Sequence, residues 1–240
     1  MAFAGTVYFL AGDSYPGDAA EEQAACTRLR TALPRILTQP EWQGSAPLAN
    51  PAARRDRLAE VIGATEDAVL IGRSSGGRVA AMLATTKPVH AVICLAYPFQ
   101  APNRVVEHER VAPLAQLTVP TLILQGTLDE YCGLEVTERF ALSPAVRLRL
   151  LPGVDHTFRL SPQGWDRVAA IMLGFIGAST RPAAPNAEDF DEADYLRRYP
   201  DVAGAVARGL ILSGHAHYLG NGRREARRYR LRPLDGTYSP

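Results

Sequence analysis

The sequence predicts an α/β fold, a mostly parallel sheet with helices on both faces, and two observations carry that prediction. Three largely apolar runs, Ala68–Ile71, His90–Tyr97 and Pro120–Gly126, have the composition of strands covered on both sides rather than the alternation of half-exposed ones. Helix-forming stretches separate them, and strands alternating with helices imply right-handed crossovers and parallel pairing.

Taken in order, Thr6–Ala11 is a short β-prone run that Gly12, Asp13 and Ser14 end as a loop. Asp18 to Leu33 reads as a helix, with Glu21 and Glu22 near its start and Arg28 and Arg30 near its end, the charge order that suits the helix dipole. From Leu33 to Ala49 the residues Pro40, Gly44 and Pro47 break any period, and no element is drawn. Asn50 followed by Pro51 reads as an N-cap and a first helical position, opening a helix through Ile62 that Gly63 stops. After the strand at Ala68–Ile71, Val79–Ala84 reads as a packed helix. Beyond Gly126 a helix is expected over Gly133–Leu142, a weaker strand over Val146–Leu151 with Arg147 and Arg149 alternating, and a helix over Pro162–Ile176. Residues 1–178 thus form the main domain. Residues 179–188, with Pro182 and Pro185, read as a linker, residues 189–232 as a small helical module and 233–240 as a tail.

Composition limits what the chain does. With 240 residues, 47% of them hydrophobic, there is enough apolar material for one good core and a small extra module. A formal charge of +1 gives no global electrostatic case for nucleic acid or membrane, and no apolar run approaches the roughly 20 residues of a bilayer span. The N-terminal stretch lacks the basic flank and cleavage pattern of a signal peptide. Three cysteines, Cys26, Cys94 and Cys132, show no framework spacing, so a reducing, cytoplasmic location is expected.

The chemistry-bearing stretch is Gly72-Arg73-Ser74-Ser75-Gly76, a Gly-x-Ser-x-Gly pattern with a strand before and a helix after. Gly72 and Gly76 permit a strand to turn into a helix within few residues while lifting Ser74 out of the sheet. A serine hydroxyl is a weak nucleophile at neutral pH and needs a base that an acid orients. Ligand sites of parallel sheets lie beyond the carboxyl ends of the strands. Asp129 and His156 follow consecutive strands there, in the chain order that this architecture uses. Asp155 and Glu130 are rival acids, ranked lower because each neighbours a favoured residue. The expected walls for a small acyl substrate are Tyr97, Pro98, Phe99, Cys132 and Phe158, mostly apolar, with Gly12 of the first loop beside them. His90 and His108 read as solvated. His215 and His217 lack a further ligand at metal spacing, and no glycine loop of the phosphate-binding type occurs, so neither a metal nor a cofactor is expected.

Four stretches, GRSSGGRVAA at 72–81, VICLAYPF at 92–99, QGTLDEYC at 125–132 and GVDHTF at 153–158, resemble a compact, cap-poor α/β-hydrolase. More narrowly they resemble the testis-expressed hydrolase-like and dienelactone-hydrolase-like proteins. That resemblance implies Ser74 as nucleophile, His156 as base and Asp129 as acid. By position the backbone N–H groups of Asp13 and Ser75 would stabilise an oxyanion. Relatives usually carry His-Gly and a small residue in the first loop, where this chain has Ala11-Gly12-Asp13, and a carboxylate there opposes a developing negative charge. Three outcomes follow: Asp13 turns away to cap the next helix, the site is tuned to a cationic or hydroxylated substrate, or catalysis is impaired. The expected function is a serine hydrolase of small esters, with a catalytically weak binding or scaffold protein as the alternative. Residues 190–229 resemble a short helical module appended to bacterial polysaccharide-related proteins, a candidate surface for a protein partner. Arg223, Arg224, Arg227, Arg228, Arg230 and Arg232 make its end basic, read as a solvated helix end, with contact to phosphate or an acidic partner as the alternative.

Overall fold

The computed structural model describes residues 3–17, 19–33, 35–44, 50–64, 67–179, 190–222, 225 and 227. The chain divides into two compact units, Met1–Thr180 and Arg181–Pro240.

In the first unit six parallel strands form one sheet: β1 Thr6–Leu10, β2 Ile36–Leu37, β3 Ala68–Arg73, β4 Ala91–Leu95, β5 Thr121–Gly126 and β6 Val146–Leu151, in the order β2-β1-β3-β4-β5-β6. Among the described residues six helices lie between the strands, α1 Ala19–Leu29, α2 Gln39–Gln43, α3 Pro51–Ile62, α4 Ser75–Ala84, α5 His108–Gln116 and α6 Val136–Arg139, and α7 Pro162–Ala178 follows β6. The apolar runs are uninterrupted because both faces of each central strand are covered. Val7, Phe9, Val69, Ile71, Ile93 and Leu124 pack into a core with Cys26 and Leu29 of α1 and Trp165 and Met172 of α7. Tyr8, Leu10, Leu70, Val92, Cys94 and Ile123 pack into a second core with Leu58 of α3, Val79 of α4 and Leu114 of α5.

Strand order locates the site. The chain moves outward from β1 to β2 and then returns to β3 on the other side of β1, so the connections leaving β1 and β3 run to opposite faces of the sheet. A crevice opens above the carboxyl ends at such a reversal, and the loop carrying Asp13 and the turn carrying Ser74 stand on its two sides.

Four local expectations need correction. The segment left without elements contains β2 and α2, both too short for periodicity to show. They are held by side chains: Trp42 Nε1 donates to Phe9 O (2.8 Å) and Gln39 Oε1 accepts from Ala11 N (2.9 Å). The helix expected over Gly133–Leu142 shrinks to α6, because Cys132 takes a positive φ of 97° and Phe140 leaves in an extended conformation to stack on Phe99 at 5.3 Å. Glu107 is the N-cap of α5, whose Leu114 is buried while His108 stays exposed, in line with its reading as solvated. His90 is half-buried rather than solvated, its ring 4.7 Å from that of Phe3. Elsewhere α1 stops at Leu29, short of Leu33, and Arg28 in its last turn pairs with Asp166 of α7 at 2.6 Å.

Cys26, Cys94 and Cys132 are free and buried. Burial pushes the Cys26 and Cys94 thiols up from about 9 to about 12. Because the folded pKa values are raised, this stabilisation is fully present below about pH 9 and is lost as pH rises toward 12. No more than one of the three thiols is therefore expected to react with a disulfide reagent at pH 8 in the native protein, against all three in denaturant; a spectrophotometric thiol count checks this.

The second unit contains α8 Glu192–Arg198, α9 Pro200–Ala207, α10 Gly214–His217 and a π-helical turn over Tyr218–Gly222. Phe190, Tyr195 and Val202 form its core, with Leu196, Tyr199 and Tyr218 against them. His217 Nδ1 shares a hydrogen with Tyr195 Oη (3.2 Å), and His215 packs on Phe190. Arg227 forms a forked pair with Asp201 (2.6 and 2.9 Å) and lies over the Tyr199 ring. Of the basic end, Arg223, Arg224, Arg228, Arg230 and Arg232 lie outside the described residues, as do the linker from 180 on and the tail. Among the described residues no group of three or more His, Cys, Asp or Glu is placed to hold a metal ion, and no helix is long and apolar enough to cross a membrane.

Candidate active site

β3 runs fully buried to Arg73 and turns within one residue into α4. At that turn Ser74 adopts φ 48° and ψ −119°, a conformation that L-residues avoid and that costs of order 1–3 kcal/mol. It persists because its surroundings fit nothing else. A Cβ on Gly72 would meet Gly76 O and Gly77 N at 2.4 Å, and one on Gly76 would meet Leu10 O at 2.1 Å. Ser74 N donates to Leu95 O (2.9 Å), so the next strand holds the turn. The Ser74 side chain is raised to a half-buried position at the carboxyl end of the sheet.

Three side chains from three loops meet there. Ser74 Oγ lies 2.9 Å from His156 Nε2, and His156 Nδ1 lies 3.0 and 3.1 Å from the two carboxylate oxygens of Asp129. Asp129 is buried, and its oxygens also accept from Gln125 Nε2 (2.8 Å) and Tyr131 N (2.8 Å). Three acceptors surround Gln125 Nε2, namely Asp129 Oδ2, Tyr97 O and Cys132 O, which fixes the orientation of that amide. An ionised carboxylate accepts the hydrogen bond of the imidazole Nδ1–H and leaves Nε2 to accept from the serine hydroxyl. Of the rival acids, Asp155 is turned onto Thr157 N (2.9 Å) and Thr157 Oγ1 (2.6 Å), which together hold its carboxyl below the usual range, and Glu130 is exposed.

Two further residues hold the histidine. Arg73 Nη2 donates to His156 O (3.3 Å) and Thr157 O (3.1 Å), and the Tyr131 ring packs on the imidazole at 4.0 Å. Sequence reasoning assigned neither a role, although both lie inside quoted motifs: Arg73 precedes the serine and Tyr131 follows the acid by two.

The Asp13 carboxylate is bound to its neighbours. Its Oδ1 accepts from Ser75 Oγ (2.6 Å) and from Arg54 Nη1 (3.4 Å), while Arg54 Nη1 also donates to Ser75 Oγ (3.2 Å) and Arg54 Nη2 to Ala11 O (2.5 Å). The carboxylate is thus not a bare charge facing the crevice, because a guanidinium cation stands behind it. Gly12 is buried. The N–H of Ser75, in the first turn of α4, has no acceptor within the helix.

The apolar wall residues are placed differently from expectation. Tyr97, Phe99 and Phe158 are 0% exposed and line no accessible surface. Tyr97 donates its hydroxyl to Arg110 O (2.5 Å), burial holds its phenol far above the ordinary range, and Phe158 packs on Trp165. Strand ends that read as pocket instead extend the two cores. Pro98 and Cys132 are buried as well. A cleft of about 340 Å³ between the starts of α1 and α7, lined by Glu21, Arg28, Arg159 and Trp165 among others, does not include Ser74.

A family profile described as an alpha/beta hydrolase domain matches residues 50–169, half of the chain. No curated protein matches it. Several solved structures do. A carboxylesterase from Bacillus subtilis is 14% identical with a TM-score of 0.54, the match covering 73% of this chain and 84% of that one. An alpha-beta serine hydrolase homologue from Coxiella burnetii is 18% identical with a TM-score of 0.53, covering 72% and 86%. A thermophilic esterase from Thermogutta terrifontis is 17% identical with a TM-score of 0.56, covering 74% and 92%. At such identities the likeness speaks for the fold. Taken with the profile match, which spans the Ser74 turn and the Asp129 and His156 loops, it establishes that the chain belongs to the α/β hydrolase domain family.

Proposed function

We propose that the protein is a serine hydrolase that cleaves a small ester through an acyl-enzyme on Ser74. The observation that carries this reading is the continuous chain of contacts from Ser74 Oγ through His156 to the buried Asp129. Ser74 Oγ attacks the ester carbonyl while its proton passes to His156 Nε2, and Asp129 stabilises the imidazolium. The negative charge that gathers on the carbonyl oxygen is met by the N–H groups of Ser75 and Asp13, each such donor being worth roughly 3 kcal/mol in the transition state. The C–O bond to the alcohol then breaks, and His156 returns the proton to the departing oxygen. A water molecule, deprotonated by His156, attacks the acyl carbonyl and releases the acid with Ser74 regenerated.

Support for a small substrate comes from the half-buried, solvent-reachable Ser74 and His156. The dienelactone-hydrolase-like motif resemblance argues the same way. The test is a panel of short p-nitrophenyl esters, thioesters, lactones and amides, with a fluorophosphonate probe. Wild-type protein is expected to turn over esters and to label once per chain, and Ser74→Ala to lose both, with turnover at least about 10⁴-fold lower. Wild-type protein that neither labels nor turns over would sink the reading and leave a binding protein on a hydrolase fold.

A further inference from the structure

Arg54 is the largest side chain that the described residues bury completely, 1% exposed, and the chemistry proposed above gives it no step. We infer that Arg54 is a positioning residue that holds the two backbone N–H donors of the oxyanion site, Asp13 and Ser75, in register with each other. The inference rests on the Ser74 acyl-enzyme reading and adds to it the device that sets the geometry of charge stabilisation.

The two donors belong to separate elements. Asp13 lies in the loop after β1 and Ser75 begins α4, so the distance between them depends on how the loop sits on the helix. Arg54 reaches in from a third element, α3, and touches the loop and the helix together: Nη2 to Ala11 O at 2.5 Å, Nη1 to Ser75 Oγ at 3.2 Å and to Asp13 Oδ1 at 3.4 Å. Ser75 Oγ closes the figure by donating to Asp13 Oδ1 at 2.6 Å. Every one of these partners lies in, or within two residues of, an oxyanion donor.

A guanidinium suits this task because its nitrogens are fixed in one plane at fixed spacing, so two of them set the spacing of their acceptors. Its base is firm. Asn50 Oδ1 caps α3 by accepting from Ala53 N (3.0 Å), Pro51 opens it, and Leu58 and Ile62 bury its inner face. A cation so buried needs a counter-charge. Asp13 supplies it while keeping its own side chain 73% exposed, so the pair holds one buried charge and one hydrated one. The presence of aspartate in the first loop follows from the presence of arginine at position 54. Arg28 offers a contrast within the same molecule: it ties α1 to α7 through Asp166 and touches neither donor.

The experiment compares wild type, Arg54→Met and Arg54→Lys by ester kinetics normalised to fluorophosphonate-titrated sites, and by the affinity of a boronic acid that mimics the tetrahedral intermediate. Arg54→Met is expected to lower kcat about 100-fold, the loss of one well-placed donor, with KM within about twofold. Boronate affinity should fall in parallel, because an oxyanion mimic depends on the same donors. Arg54→Lys keeps the buried charge, and with it folding, but offers a point donor in place of a fork. Its kcat is expected to fall about tenfold with KM again unchanged. Should Arg54→Met not fold, the lysine variant decides: wild-type kcat per titrated site and wild-type boronate affinity would overturn the inference while leaving the Ser74 reading intact. A rise in KM or a fall in melting temperature with unchanged kcat also overturns it, since a purely structural arginine behaves that way. Wild-type protein inert to ester and probe alike overturns both.

Discussion

Asp129→Asn is expected to lower kcat about 10⁴-fold and to cost about 1–3 kcal/mol of stability. Both effects have one origin. Each carboxylate oxygen of Asp129 accepts from a protein donor, Oδ2 from Gln125 Nε2 and Oδ1 from Tyr131 N, and both lie within reach of His156 Nδ1. An asparagine has one oxygen to offer. Whichever way its amide turns, its NH₂ faces a donor in a site closed to water, and Gln125 cannot turn to relieve it because Tyr97 O and Cys132 O hold its own NH₂. If the asparagine NH₂ faces the imidazole, the histidine proton moves to Nε2 and points at Ser74 Oγ, so the base no longer accepts. Steady-state kinetics with a urea melt checks both parts, and a variant within tenfold of wild-type kcat would place the acid elsewhere.

Gly76→Ala should be strongly destabilising for the addition of a single methyl group. Its Cβ would lie 2.1 Å from Leu10 O and 2.7 Å from Ala11 O, both backbone atoms of the strand end that bears the oxyanion loop. Neither can swing aside as a side chain would, so β1 and α4 must separate. The expected cost is about 3 kcal/mol or more, seen as a fall in melting temperature on the order of 10 °C. Gly77→Ala is the control one residue on. There the new atom meets the Tyr97 ring and the Cys94 side chain at 3.3–3.4 Å, and about 1 kcal/mol is expected. Equal melting temperatures for the two variants would refute the close-approach argument.

The central strands and the serine turn were legible because they obey a short-range rule. A strand covered on both faces is apolar throughout, and a strand-to-helix turn this tight admits little but glycine beside its serine. Asp129 and His156 were legible by position, since parallel topology sends the ends of consecutive strands to one edge. Arg54 was not. Its helix reads PAARRDRLAEVI, with Arg54, Arg55 and Arg57 alike in composition, and only packing reveals that the first of them is buried. Tyr97, Phe99 and Phe158 misled for the converse reason, because an aromatic residue at a strand end fits a pocket wall and a core equally well until its neighbours are known. β2 and α2 escaped notice because side chains, not periodicity, hold them.

Those same side chains bear on how such a site tolerates change. Phe9 O, Ala11 N and Ala11 O are gripped by Trp42, Gln39 and Arg54, so the path of the chain into the first loop is dictated from outside that loop. Main-chain direction there depends on α2 and α3, with the Asp13 carboxylate as the loop's own tie to Ser75 and Arg54. A change at position 13 therefore cannot be made alone: it removes the counter-charge of Arg54 and the acceptor of Ser75 Oγ together, so substrate preference and charge stabilisation at this loop are altered jointly.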